Sequence, residues 1–145
     1  METKSKRRRS SPRPRVVFVV GNPLVPSDSM PLRLLPLLKK ARPGLDFTPF
    51  EPTRMDVAHH QALVFIDTVQ GIKKVVHLHG LKALQPSDSA YSLHDFDLAG
   101  QLLLLHKFGL LGPVAIIGVP AKGQKEKIAK DVLHELEHIT GHSRV

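Results

Sequence analysis

ALVFIDTVQGIKKVVHLH, Ala62 to His79, decides how this chain is built. Its first half, Ala62 to Val69, is an almost unbroken apolar run of strand length, the pattern of a strand covered on both faces as in parallel sheets. Its second half, Val75 to His79, is another strand. Only Gln70 to Lys74 lie between them. A parallel return takes a dozen residues or more, so the VVHLH strand is expected to run antiparallel to the one before it. The sheet is therefore expected to be mixed, and Asp67 is the one charge in its most apolar strand.

Outward from this stretch, RVVFVVGNP from Arg15 reads as a first buried strand, stopped by Gly21-Asn22-Pro23. Leu32, Leu34, Leu35, Leu37 and Leu38 follow at helical spacing until Arg42-Pro43-Gly44. Pro36 is a flaw in that helix, because an interior proline removes a backbone donor. LDFTPF, Leu45 to Phe50, reads as a strand, and so does PVAIIGVP, Pro113 to Pro120. A helix is predicted from near Ser92, where Ser92 and Asp95 have capping-box spacing, to a stop at Gly109. A last helix is predicted from about Gly123 to Thr140. The order β-α-β-β-β-α-β-α implies a three-layer α/β arrangement around a mostly parallel sheet. PSDS occurs at Pro26 and again at Pro86, as turn chemistry rather than an internal repeat.

The chain has 145 residues and a formal charge of +8, but that charge is unevenly spread. METKSKRRRSSPRPR, residues 1–15, carries a net +6, leaving +2 for the other 130 residues. Such a Ser/Pro/Arg-rich leader cannot bury enough apolar area to offset the entropy of ordering it. Residues 1–14 are thus expected to be a disordered basic tail, suited to weak contact with nucleic acid, and 15–145 a single α/β domain. Cysteine is absent, which excludes disulfides, thiolate nucleophiles and thiolate metal sites and leaves His, Asp and Glu as metal ligands. No run approaches the roughly 20 apolar residues of a membrane span, and Val16–Val20 is too short for a signal-peptide core. The expected location is cytoplasmic.

In an open α/β sheet, ligands bind beyond the carboxyl ends of the parallel strands. Asp28 on the GNPLVPSDS loop, Asp67 ending VFID, and His94 in SLHD are all expected at that edge. Two carboxylates and an imidazole form an N/O donor set suited to zinc, nickel or a similar divalent ion. Each also has a bland reading: Asp28 as a turn residue, Asp67 as a strand-end cap, His94 as a polar group at a helix start. An ionised carboxylate ending a buried strand costs several kcal/mol unless paired or metal-bound, which favours the conjunction.

GNPLVPSDS, LVFIDTV and YSLHDFDLAGQLLLLHKFGLLGPVAIIGVP together resemble the hydrogenase maturation endopeptidase family, over about Arg15 to Glu137. The resemblance implies a three-layer α/β/α fold, phosphorylase/hydrolase-like, with a five-stranded mixed sheet and one antiparallel strand. It also implies a metal-dependent endopeptidase that removes a short C-terminal extension from a nickel-loaded hydrogenase large-subunit precursor, its partner. The family's metal-binding positions, also taken as catalytic here, fall on Asp28, Asp67 and His94, with Asn22, Ser92 and Asp95 as residues that orient them. The divalent metal implied is the substrate's own nickel, for which zinc or cadmium can substitute. Two departures are visible: Ser27-Asp28-Ser29 stands where many members have two acids and then glycine, and Glu51-Pro52-Thr53 replaces a glycine-threonine turn. The alternative function is a non-catalytic metal- or partner-binding protein that retains this fold.

HELEH, His134 to His138, spells the zinc-peptidase pattern H-E-x-x-H. Ile128, Val132, Leu136 and Ile139, however, form the stripe a helix buries. His134, His138 and His142 are two residues out of phase with it, roughly 200° around at 100° per residue, and are expected to face water. A nucleotide-binding reading fails at the first loop, which lacks G-x-G-x-x-G.

Overall fold

The computed structural model describes residues 15–50, 62–79, 92–93, 102–103, 106–109 and 111–140. The basic leader, Glu51-Pro52-Thr53, His94 and Asp95 lie outside these residues. The elements are β1 (Val16–Val19), α1 (Met30–Ala41), β2 (Asp46–Pro49), β3 (Leu63–Gln70), β4 (Val76–His79), β5 (Ser92–Leu93), β6 (Val114–Val119) and α2 (Lys125–Thr140). Among the described residues, no helix is long and apolar enough to cross a membrane.

The strands form a five-stranded mixed sheet in the order β2-β1-β3-β6-β4, and the two-residue β5 pairs with β3 alone. β2, β1, β3 and β6 are mutually parallel, and β4 runs antiparallel to β6. VVHLH does run opposite to β3, as the short connection requires. Its hydrogen-bonded neighbour, however, is β6, which inserts between the two. Loop length fixes direction, whereas a neighbour is chosen by which strand fills the gap.

Alternation along the strands divides the core. Val17, Val19, Val64, Ile66, Ile117 and Val119 face α1 and α2. Val20, Leu63, Phe65, Val114 and Ile116 pack on the opposite side with Leu102. With both sides covered, β3 is buried from Leu63 through Val69, which is why its sequence shows no polar alternation. Phe18, Phe50 and Phe65 form an aromatic cluster on the second side, with Phe18 stacked on Phe65 at 5.4 Å.

Two sequence expectations change. The helix predicted from Ser92 does not begin there, because Leu93 pairs with Val69 and Ser92 with Gln70. The Ser92/Asp95 spacing is a local cap signal, and it yields to backbone bonds offered by the end of β3. Helical backbone occurs further on, at 102–103 and 106–107, and Gly109 takes a positive φ of 71° and donates to the His106 carbonyl at 2.9 Å, as a stop should. Pro36, a flaw on paper, does not end α1. Leu34 and Leu38 on either side of it are fully buried, and burying each contributes about 1.5–3 kcal/mol, enough to offset a missing donor. Pro49 closes β2, an outer strand, the place where a missing N–H is tolerated.

Gly118 stands opposite Asp67 on β3 and Val76 on β4. A methyl group there would sit 2.5 Å from Val69 Cγ2 and 3.0 Å from Val76 Cγ2. Valine is stiff at χ1 and cannot swing aside cheaply. Gly118→Ala is expected to destabilise the fold by about 1–3 kcal/mol, read as a lower urea midpoint at unchanged slope. An unchanged midpoint would mean that β4 does not close on β6 in this way.

Candidate active site

Asp67 is fully buried. It shares a face with Leu63 and Phe65, and it lies one residue beyond Ile66, whose carbonyl accepts the Val20 N–H at 2.8 Å. The next amide, Thr68 N–H, donates to Asp67 Oδ1 at 2.8 Å. That bond fixes the rotamer of the carboxylate just beyond the level where β1 ends; β3 itself runs on to Gln70, so Asp67 lies inside its strand and does not end it as the sequence suggests.

Asp28 lies in the loop that leaves β1. After Val20 the chain turns through Gly21 and Asn22 into a short 3-10 turn, Pro26–Asp28, with Asp28 only 6% exposed. Asn22 N–H donates to the Asp28 carbonyl at 2.9 Å, and Asp28 N–H donates to Val25 O at 2.9 Å. Asn22 Oδ1 accepts the Leu24 N–H at 2.9 Å, while Val25 N–H returns to Asn22 O at 3.1 Å. Asn22 thus ties the loop to itself and to the backbone of Asp28. Gly21 is required by the closeness of this fold-back, since a Cβ there would lie 2.7 Å from the Asp28 carbonyl oxygen. Sequence reasoning passed over Gly118 and saw Gly21 only as a turn. A glycine inside a strand is the signal for close approach.

Asp28, in the loop that leaves β1, and Asp67, on the adjacent parallel strand β3, are 39 residues apart in the chain and both buried. Both are oxygen donors, the type that suits a divalent cation. His94 and Asp95 lie outside the described residues. The chain enters that segment through Leu93, whose partner Val69 is two residues beyond Asp67. Ser92 is held there by its backbone pairing to Gln70. Among the described residues, no three histidine, aspartate or glutamate side chains come together as a metal-binding group.

HELEH lies elsewhere. Ile128, Val132 and Leu136 are buried against the sheet, and His134 and His138 are exposed, as their phase predicts. Their rings are 4.9 Å apart, with His138 Nδ1 3.0 Å from the His134 carbonyl oxygen. His142 lies outside the described residues. A doubly substituted His134→Ala, His138→Ala protein is expected to keep its fold by circular dichroism while losing retention on an immobilised nickel column. Undiminished retention would place the metal-holding imidazoles elsewhere in the chain. His77, which the sequence left without a partner, has Nδ1 3.9 Å from Glu135 Oε1.

No family model matches the chain, and no curated protein matches it. Solved structures do. The [NiFe] hydrogenase maturation protease HybD from Thermococcus kodakarensis superposes with a TM-score of 0.61 at 20% identity, covering 86% of this chain and 99% of that one. The [NiFe] hydrogenase maturation protease HycI from Thermococcus kodakarensis KOD1 superposes with a TM-score of 0.54 at 17% identity, covering 90% and 94%. The fold of this chain is the α/β fold of those proteases.

Proposed function

We propose that this protein is an endopeptidase of the hydrogenase maturation type, removing a C-terminal peptide from a nickel-loaded hydrogenase large-subunit precursor. The observation that supports the reading is that Asp28, in the loop leaving β1, and Asp67, on the adjacent parallel strand β3, are both buried carboxylates. The fold shared with two maturation proteases supports it. Aspartate is among the residues least often fully buried, so two buried aspartates on neighbouring elements favour a functional role.

In this reading Asp28, Asp67 and His94 hold the substrate's metal, with Asn22 and Gly21 keeping Asp28 in place. When bound, the cation supplies polarisation of the scissile carbonyl and a water of lowered pKa. Asp67, its rotamer fixed by Thr68 N–H, is placed to take a proton from that water, and Asp28 is the second candidate for the same role. The position of Asp28 in the loop leaving β1 leaves the peptide to approach from outside the sheet.

The test is incubation with a nickel-loaded large-subunit precursor, followed by mass spectrometry of the precursor's C-terminus. Shortening by the wild type and none by Asp67→Ala is the expected result. Equal behaviour of the two proteins would end the proposal. The alternative, a metal- or partner-binding protein without catalysis, predicts co-elution with the precursor and no shortening.

A further inference from the structure

A cavity of about 450 Å³ opens where the β3–β4 turn meets the segment leading from β6 into α2, and Lys73, Lys74, Lys122 and Lys127 line it. Two acids share the lining, Asp131 paired with Lys127 at 3.1 Å and Glu135 facing His77 at 3.9 Å, so the lysines outnumber the acids four to two. Among the described residues, Lys73, Lys74 and Lys122 form no ion pair, and all three are exposed. Three uncompensated ammonium groups around one concavity repel each other in the empty protein. An anionic occupant removes that repulsion, and converging cations raise its local concentration. This cluster also lies within the domain rather than in the basic leader, where most of the chain's charge is found.

The cavity shares an edge with the acids. Gly118 pairs with Asp67, and Pro120 and Lys122, both in the lining, follow two and four residues later, at most about 14 Å of chain beyond it. Asp67 lies on the Phe65 side of the sheet, whereas the lining includes Ile128 of the helix side. A peptide linking them passes over the strand ends, and five or six extended residues, about 17–20 Å, are long enough.

We infer that this lysine cavity binds an acidic polypeptide segment. Resting on the peptidase reading, that segment is the part of the precursor on the C-terminal side of the scissile bond, ending in its free carboxylate. Discrimination for a C-terminal extension then comes from charge placed a fixed number of residues from the cut.

The binding test uses the full chain and a fluorescein-labelled peptide of four glutamates with a free carboxyl end, followed by fluorescence anisotropy at low salt. Lys73→Glu, Lys74→Glu, Lys122→Glu in one protein is expected to weaken binding at least about tenfold. A control with the same charge change on exposed residues outside the cavity, Lys39→Glu, Lys40→Glu, Lys107→Glu, is expected to weaken it less than about threefold. The triple Lys→Gln version, checked by circular dichroism, guards against a folding defect and should fall between them. Equal weakening in both sets, or none in either, overturns the inference, since the basic leader or net charge would then carry the binding. The precursor assay separates this result from the peptidase reading. Cavity-dependent peptide binding without shortening by the wild type removes the peptidase and leaves the cavity. Shortening by the cavity variant with wild-type KM removes the cavity and leaves the peptidase.

Discussion

Asp67→Asn is expected to lower precursor cleavage by about 100- to 10,000-fold, the usual contribution of a positioned proton acceptor, while the protein remains as stable as before or becomes more so. The two halves of this result have separate causes. Asparagine has nearly the volume of aspartate, and its amide oxygen can still accept from Thr68 N–H, so β3 is undisturbed. What disappears is an ionisable carboxyl group with no solvent exposure, and the neutral amide carries a smaller desolvation cost than a buried carboxylate does. The rate falls because an amide accepts no proton and holds a cation weakly. Single-turnover cleavage and a thermal melt on the same preparation check both halves. A variant with lost activity and a much lower melting point would make Asp67 a structural residue, and one with full activity would remove it from the chemistry.

Phe65→Ala is expected to cost about 3–5 kcal/mol, a large fraction of the roughly 5–15 kcal/mol that holds a domain of this size together. Phe65 is fully buried in the middle strand. It stacks on Phe18 at 5.4 Å and meets Phe50 edge-on at 5.7 Å. Each such ring pair is worth about 0.5–1.5 kcal/mol beyond its buried area. Urea unfolding should show a reduced midpoint with little change in slope, and Phe65→Leu, which preserves more of the volume, should recover much of the loss. A cost below about 1 kcal/mol would show that the second core layer is not close-packed.

The features legible in the sequence were those with one physical cause. β3 and β6 are covered on both faces, and their sequences are almost continuously apolar. The stripe Ile128, Val132, Leu136 marked the buried side of α2 and put HELEH on the outside. Asp67 was conspicuous as a charge where only apolar residues belong. What could not be read depended on partners distant in the chain. Ser92 carries a cap signal within four residues, yet its backbone is claimed by Gln70, 22 positions earlier. Pro36 looked like a break because its cost is local, whereas the packing of Leu34 and Leu38 that offsets it is tertiary. The role of Gly118 depends on Val69 and Val76 lying on both sides of it, which no spacing rule reveals. Asp28 and Asp67 were singled out by the strand-end rule, whereas the tie between Asn22 and the Asp28 backbone is a contact no spacing in the sequence reveals.

The borders of the sheet have a consequence of their own. Its two outermost strands, β2 and β4, are four residues each, and β2 finishes in Pro49. Exposed borders are where chains recruit one another into fibrils, and a short border with a missing donor is a poor template for that growth. Among the described residues, the segments richest in valine, isoleucine and leucine thereby sit in the inner strands, and the two outer ribbons of the sheet are its least adhesive.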